Sequence, residues 1–140
     1  MLTTSLLHPE ILLALGRAGH GSQVLIADGN YPFSTGSSAA AEKVFLNLKP
    51  GMVNVTDVLE ALVDSIPIEA ATVMVPDDRA DQPIFGEFRK MLPGKLNLTK
   101  IGRFDFYERA RSSDTALVIA TGEQRIYANL LLTIGVRTSH

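Results

Sequence analysis

Short continuous apolar runs alternate along the chain with segments whose apolar residues recur at helical spacing. The runs are closed by Gly, Pro, Asp or Asn, which is typical of buried strands that feed turns. Strands are predicted over 23–28, 43–48, 70–75, 96–101, 115–120 and 130–134. Helices are predicted from Pro9 to Ala18, from a cap at Asn54 or Thr56 to Val63, over 81–91 and over 104–111, and a loop is predicted over 34–41.

This alternation predicts an α/β fold, in which three layers (α/β/α) enclose a mostly parallel sheet. Continuous apolar strands are expected where helices cover both faces of a sheet. The length of 140 residues is close to the usual size of one domain, and the chain has no internal repeat, low-complexity tract or linker. A single domain over 1–140 is therefore expected.

Composition and charge narrow the classes of partner. Apolar residues make up 46% of the chain and charged residues 20%, which is enough for a sizeable core. The net charge of −2 disfavours a nucleic-acid partner, which needs a basic face. Cysteine is absent, so disulfides, thiolate chemistry and Cys-ligated zinc are excluded. With no long apolar span and no signal peptide evident, a soluble, cytoplasmic protein without a membrane partner is expected.

Three polar clusters lie at the ends of the first and fifth predicted strands. Asp28-Gly29-Asn30 and Gly122-Glu123 each follow a strand, and ligands gather at the carboxyl ends of strands in open α/β sheets. Gly19-His20-Gly21 instead precedes the first strand. The polar edge of the sheet is thus the first place to seek a site.

His20 is the only histidine in the interior of the chain, since His8 lies before a helix start and His140 is the last residue. Histidine titrates ordinarily near neutrality and suits proton transfer, and the two flanking glycines shield it little. The alternative interpretation is a histidine that caps the preceding helix. Asp28 likewise has a structural alternative, an Asx-turn at the start of its loop.

The run Arg103–Ala110 concentrates aromatic and charged groups, with Arg103 and Tyr107 on one helix face. It predicts either an amphipathic helix with Phe104 and Tyr107 in the core, or a sugar site that offers a ring to an apolar sugar face and a guanidinium to hydroxyls. Tyr127 and Asn129 add a phenol and a carboxamide that suit hydroxyl recognition, or are ordinary polar residues at a strand entry.

Other site classes find no support in the sequence. It lacks both glycine-rich phosphate-binding motifs, GxGxxG and GxxxxGK(S/T), and it has no Ser-centred nucleophile elbow. One interior histidine without a paired His or Cys provides no metal-ligand spacing. Neither a metal nor an organic cofactor is therefore expected.

Taken in order, five motifs resemble the L-fucose mutarotase / D-ribose pyranase family, over about Pro9 to Val136. They are Gly19-His20-Gly21, Asp28-Gly29-Asn30-Tyr31-Pro32, Arg103–Ala110, Thr121-Gly122-Glu123 and Tyr127-Ala128-Asn129. The Arg-Phe-x-Phe-Tyr-Glu-Arg-Ala run resembles the fucose branch. The resemblance implies an α/β/α fold, a cofactor-free sugar isomerase and a ring-shaped homo-oligomer, often a decamer, with sites between neighbouring subunits.

The resemblance also implies roles for individual residues. The catalytic histidine of the family matches His20, and Tyr107 corresponds to the position of the ribose branch's histidine. The remaining matches, all to substrate-binding positions, are Asp28, Arg103, Tyr127 and Asn129. Leu48-Lys49-Pro50-Gly51 departs from the Arg-Ala-Asp-Gly run of many fucose-type members, so the preferred sugar stays open.

The resulting hypothesis is a monosaccharide mutarotase that interconverts anomers, and possibly ring sizes, of L-fucose or a related aldose by acid–base ring opening. His20 would be the proton shuttle, and Asp28 would orient either His20 or a sugar hydroxyl. The alternatives are a non-catalytic sugar-binding or transport-accessory module, and a regulatory or structural subunit whose polar clusters only cap elements.

Overall fold

The computed structural model describes residues 1–139; His140 lies outside the described residues. Helices and strands alternate along most of the chain. The helices are α1 (Pro9–Arg17), α2 (Val55–Val63), α3 (Pro83–Met91) and α4 (Arg103–Ala110). The strands are β1 (Gln23–Ala27), β2 (Glu42–Phe45), β3 (Ile68–Met74), β4 (Leu98–Ile101), β5 (Thr115–Ala120) and β6 (Leu130–Ile134).

All strands belong to one six-stranded sheet in the order β2-β5-β1-β6-β3-β4. The pairs β1–β5, β2–β5 and β3–β4 are parallel, whereas β6 runs antiparallel between β1 and β3. The carboxyl ends of the five parallel strands and the beginning of β6 therefore lie at one edge of the sheet, here called the carboxyl edge. The opposite side is the amino edge.

Helices cover both faces, which confirms the α/β/α prediction. On one face Val24 and Ile26 of β1 share a core cluster with residues of α1, α2 and α3. On the other face Leu25 and Ala27 of the same strand pack with α4 and with the loop between β1 and β2. Since successive strand residues point to opposite faces, burial on both sides accounts for the continuous apolar runs.

Local sequence explains where the helices begin. Pro9 opens α1, and the His8 side chain accepts a hydrogen bond from the backbone N–H of Ile11 at 3.4 Å. Asn54 caps α2, and the Asp57 carboxylate accepts from the Asn54 N–H at 2.9 Å. Of the two predicted caps, Asn54 is confirmed and Thr56 is wrong, because it lies within the helix.

The strands over 115–120 and 130–134 have their predicted bounds, and the other elements shift by a few residues. β1 ends at Ala27, one residue before Asp28 begins a turn. β4 begins at Leu98 instead of 96, because the Leu96 N–H bonds back to the Pro93 carbonyl across a turn. α3 begins at Pro83 instead of 81, as expected for proline in a first helical turn. Among residues 1–139, no helix is long and apolar enough to cross a membrane.

Candidate functional site

A buried Asp28–Asn129 pair lies at the carboxyl edge, where β1 ends and β6 begins. The Asn129 amide donates to Asp28 Oδ2 at 3.2 Å, and Asn129 Oδ1 accepts from the Asp28 backbone N–H at 2.7 Å. Asp28 Oδ1 accepts from the Asn30 N–H at 3.0 Å, which confirms the Asx-turn interpretation. The structural and functional interpretations of Asp28 are therefore compatible, since both oxygens are held in fixed positions.

Burial raises the pKa of Asp28 above its usual value, and the hydrogen bonds from Asn30, Ala128, Tyr31 and Asn129 oppose that rise. Both Asp28 and Asn129 are almost fully buried. The hydrogen bonds from Asn30 and Asn129 fix both oxygens of this carboxyl at the carboxyl edge.

Replacing Asp28 with asparagine is expected to lower the free energy of unfolding by about 1–3 kcal/mol, because one amide N–H would then face a donor, either Asn129 Nδ2 or the Asn30 N–H. Denaturant titration measures the change. Asn30→Ala is the matched control, since only the backbone of Asn30 joins this network, and a shift below about 0.5 kcal/mol is expected. Equal shifts in both variants would contradict the donor–donor explanation.

A cleft of about 540 Å³ opens at the same edge, between the end of β3 and the start of α4, and is called the Arg103 cleft. Its lining residues are Val75, Pro76, Asp77, Gly102, Arg103, Phe104, Asp105 and Tyr127. Of the predicted site residues, the structure thus brings Arg103 and Tyr127 into one cleft.

Aromatic rings hold Arg103 at the mouth of this cleft. Its guanidinium carbon lies 5.2 Å from the centroid of the Phe104 ring and 5.6 Å from that of the Tyr107 ring. Within residues 1–139 the guanidinium has no hydrogen bond or ion pair. Its N–H groups therefore stay available to a ligand.

The prediction that Phe104 and Tyr107 lie in the core is wrong for Phe104, which is 75% exposed. α4 instead buries Phe106 and Ala110, which stand four residues apart and so define the inner helix face. Tyr107 is half-buried. Its ring meets the ring of buried Tyr31 edge-on, with centroids 5.4 Å apart.

Tyr127 reaches the Arg103 cleft from an unusual backbone conformation. Its φ of 57° is left-handed, which is uncommon for a large side chain. The ring is half-buried and contacts both core clusters, while the next residues, Ala128 and Asn129, are buried. Tyr127 thus lines the Arg103 cleft from a left-handed turn that precedes β6.

Glu123 was expected only as part of a polar cluster, and the structure shows it as a buried anchor. Its carboxylate accepts two hydrogen bonds from the Arg125 guanidinium, at 2.7 and 3.1 Å, and one from the Val55 N–H at 3.3 Å. Burial raises the pKa of Glu123, but the hydrogen bonds and the charge of Arg125, together with the hydrogen bond from the Val55 N–H, outweigh it and leave the pKa below its usual value. The loop after β5 is thereby attached to the start of α2.

Lys49 and Pro50 of the run 48–51 line a separate cleft of about 460 Å³ at the same edge, called the Lys49 cleft. There Gly122 packs so closely that a side chain would place its Cβ 2.3 Å from the Lys49 carbonyl oxygen. Only glycine fits at this contact. The departure from the fucose-type run therefore lies beside Gly122 and outside the Arg103 cleft.

His20 lies at the amino edge, in a tight turn between α1 and β1. The Ser22 N–H bonds to the Gly19 carbonyl at 3.0 Å, and Gly21 has φ +88°, so the turn is type II with His20 at its tip. His20 Nε2 lies 3.1 and 3.2 Å from the two carboxylate oxygens of Glu69. The capping interpretation is wrong, because this side chain pairs with the start of β3 and not with α1.

Within one chain His20 does not meet the other predicted residues. β1 separates it from Asp28, and five strand residues span about 16 Å. The side chain of His20 is 59% exposed, so it is accessible to a second molecule. The structure therefore assembles the candidate residues in two groups, one at each edge of the sheet.

Comparison with known proteins places this arrangement in a family. Residues 1–137 match the RbsD / FucU transport protein family. The chain belongs to that family. The human protein named fucose mutarotase is 34% identical over an alignment of 145 positions, which covers 94% of this chain and 90% of that protein.

Solved structures of the RbsD / FucU type share the fold. The fucose mutarotase of Streptococcus pneumoniae, solved in complex with L-fucose, has a TM-score of 0.79 and 28% identity, with 94% of each chain covered. RbsD of Bacillus subtilis, solved with D-ribose, has a TM-score of 0.81 and 25% identity, and covers 99% of this chain and 100% of its own.

Sequence reasoning missed Glu69 in this RbsD / FucU family member. Its charge at the entry of an apolar strand was the available signal. The contact with His20 depends on β6, since Ile134 pairs with Ile68 and also accepts a hydrogen bond from the Gly21 N–H at 2.9 Å. Only the strand order brings these two segments together.

Proposed function

We propose that this chain is a monosaccharide mutarotase, an isomerase that interconverts the anomers of L-fucose or a related aldose without a cofactor. The observation that carries the proposal is its similarity, along nearly the whole chain, to fucose mutarotases, one of which was solved with L-fucose bound. The Arg103 cleft supports it, because an exposed ring beside an unpaired guanidinium suits the apolar face and the hydroxyls of a sugar.

Anomer exchange requires that the sugar ring open and close again. A proton reaches the ring oxygen as the bond from that oxygen to the anomeric carbon breaks, and another proton leaves the anomeric hydroxyl, which becomes the aldehyde oxygen. Closure on the other face of the aldehyde reverses both transfers. General acid–base assistance of this type contributes about 10² to 10⁴-fold.

We infer that His20 carries this proton. An ionised carboxylate only accepts hydrogen bonds, so Nε2, which faces Glu69, bears a hydrogen, and Nδ1 is the nitrogen that exchanges a proton with the sugar. Glu69 orients the ring through this contact. Arg103, Tyr107, Tyr127, Asp28 and Asn129 would then hold the sugar.

This assignment requires a second copy of the chain, whose His20 faces the carboxyl edge of its neighbour. Large apolar side chains at that edge, including Leu48 (78% exposed) and Ile126 (64%), would be covered by such a contact. We therefore propose a homo-oligomer of single-domain chains with sites at the interfaces. The family resemblance implies that it is a decameric ring, and we propose that it is located in the cytoplasm. Sedimentation analysis tests the assembly, and a monomer at assay concentration would contradict it.

The activity is tested by saturation-transfer NMR of anomer exchange with a panel that includes L-fucose and D-ribose. Faster exchange than in buffer is expected for at least one sugar. Binding without faster exchange would favour the sugar-binding or transport-accessory module. Absence of any binding would favour a regulatory or structural subunit.

Replacing Arg103 with alanine is expected to raise KM for the preferred sugar by about 10- to 100-fold, because a charge-assisted hydrogen bond contributes about 1.5–3 kcal/mol. Initial rates of anomer exchange over a range of sugar concentrations measure KM and kcat. Arg109→Ala, on the same helix with its guanidinium 3.5 Å from Thr72 Oγ1, is the control and should leave KM unchanged. Equal effects of both variants would remove Arg103 from the sugar site.

A further inference from the structure

Asp77 is a polar residue that lines the Arg103 cleft. Neither the sequence motifs nor the fold gives it a role. It follows β3 at the carboxyl edge, and it lines the cleft together with Arg103, Phe104 and Tyr127. Within residues 1–139, its carboxylate has no hydrogen bond and no ion pair. The Asp77 carboxylate, an acceptor, and the Arg103 guanidinium, a donor, therefore line one cleft, and within residues 1–139 neither has a hydrogen-bond partner.

The neighbouring carboxylates of this loop are already used by the fold. Asp78 Oδ1 accepts from the Ala80 N–H at 3.0 Å. Asp81 pairs with Arg89 at 2.7 Å and with Lys100 at 2.8 Å. Asp77 is the carboxylate of this loop that remains free within the described chain and faces the cleft.

The backbone holds Asp77 in place. The Arg79 N–H bonds to the Pro76 carbonyl at 2.8 Å and closes a turn around Asp77 and Asp78. The Arg79 guanidinium also donates to the Lys100 carbonyl of β4 at 2.8 Å. Before Asp77, the Val75 N–H bonds to the Ile101 carbonyl of β4 at 2.9 Å, so the loop is tied to the sheet on both sides and its backbone has little freedom to lose on binding.

We propose that Asp77 is a substrate-binding and specificity residue of this cleft, which accepts hydrogen bonds from sugar hydroxyls while Arg103 donates to them. The inference rests on the proposed function. Each sugar hydroxyl both donates and accepts, whereas a carboxylate only accepts and a guanidinium only donates. Neighbouring hydroxyls can therefore bridge Asp77 and Arg103, which do not bridge each other.

The exposed Phe104 ring completes the complementarity, because it offers an apolar surface to the C–H face of the same sugar. Pro76 and Val75, the residue that follows β3, add further apolar surface to the cleft. The cleft thus has a hydrogen-bond donor, an acceptor and an apolar side, which together are complementary to a neutral monosaccharide.

The test compares Asp77→Ala, Asp77→Asn and the matched control Asp78→Ala in the full-length protein. With the preferred sugar, Asp77→Ala is expected to raise KM and the dissociation constant by about 10- to 100-fold with kcat within twofold of wild type. Asp77→Asn keeps a neutral acceptor and should recover part of the loss, to about 3- to 10-fold, since charge-assisted bonds are roughly twice as strong. Asp78→Ala should change KM less than twofold.

Anomer exchange gives KM and kcat, isothermal titration with L-fucose and D-ribose gives the dissociation constant, and thermal unfolding verifies that the variants are folded. An unchanged dissociation constant in Asp77→Ala, a fall in kcat alone, or equal losses in Asp77→Ala and Asp78→Ala would overturn the proposal. Wild-type protein that binds sugar without accelerating exchange would refute the mutarotase function. The dissociation constants of the Asp77 variants would then decide the Asp77 inference. Wild-type protein that binds neither sugar would refute both.

Discussion

Replacing His20 with alanine is expected to lower kcat for anomer exchange by about 10² to 10⁴-fold, the contribution of a positioned acid–base group. KM should change little, because sugar binding is assigned to groups at the carboxyl edge, while the imidazole is held by Glu69 at the amino edge. Saturation-transfer NMR separates the two constants, and the uncatalysed exchange in buffer sets the lower limit.

His8→Ala is the matched control for this variant. His8 caps α1 and lies in the same chain segment before β1, but it makes no contact with Glu69. Its removal should cost about 0.5–1 kcal/mol of stability and leave kcat unchanged. Should His20→Ala retain wild-type kcat, the histidine is not the proton carrier and the sugar-binding module becomes the better interpretation.

Replacing Glu123 with alanine is expected to lower the free energy of unfolding by about 3 kcal/mol, the largest stability effect in this set. The carboxylate is 3% exposed and serves the guanidinium of Arg125 together with backbone donors, including the Val55 N–H. Its removal leaves the buried Val55 N–H without this acceptor, takes from Arg125 its buried partner, and releases the loop after β5 from α2. Denaturant unfolding followed by circular dichroism measures the change.

The same group makes stability depend on pH in a defined direction. The pKa of Glu123 is lower in the folded chain than in the unfolded chain, where it is about 4.3. Its contribution is therefore fully present above that value and is lost as the pH falls through the lower, folded value. Glu123→Gln should remove this part of the acid sensitivity.

Glu87→Ala is the control for the ion-pair network. Glu87 also pairs with Arg125, at 2.5 Å, but its side chain is half exposed, so less than about 1 kcal/mol is expected. A loss of equal size in Glu87→Ala and Glu123→Ala would mean that the exposed pair, and not the buried carboxylate, anchors the loop.

The predicted elements came close to the observed ones because the apolar runs are unambiguous. Thr115–Ala120 and Leu130–Ile134 are short, continuous and flanked by turn residues, and both strands have the predicted bounds. Their neighbours differ at the ends, where one side-chain bond or a proline decides the last residue, as at Asp28 and Pro83.

The order and direction of the strands could not be predicted from the sequence. Nothing in the Leu130–Ile134 run distinguishes a parallel from an antiparallel strand, yet its antiparallel position between β1 and β3 brings Glu69 to His20 and Asn129 to Asp28. The family resemblance named His20, Asp28 and Asn129 without showing which of them meet in one chain. Such contacts join residues far apart in sequence, so local patterns do not encode them.

Helical spacing also left the orientation of α4 undecided. Phe104 and Phe106 are equally apolar, but only Phe106 faces the sheet, because Ala110 lies one turn further along the same side.

The exposed position of Phe104 affects the free energy of ligand binding at Arg103. Its side chain is steered by ring faces instead of a carboxylate, so an arriving ligand has no internal partner to displace and less rotational freedom to suppress. The Arg103 guanidinium is thus positioned before a ligand arrives, and its N–H donors have no partner within the described residues.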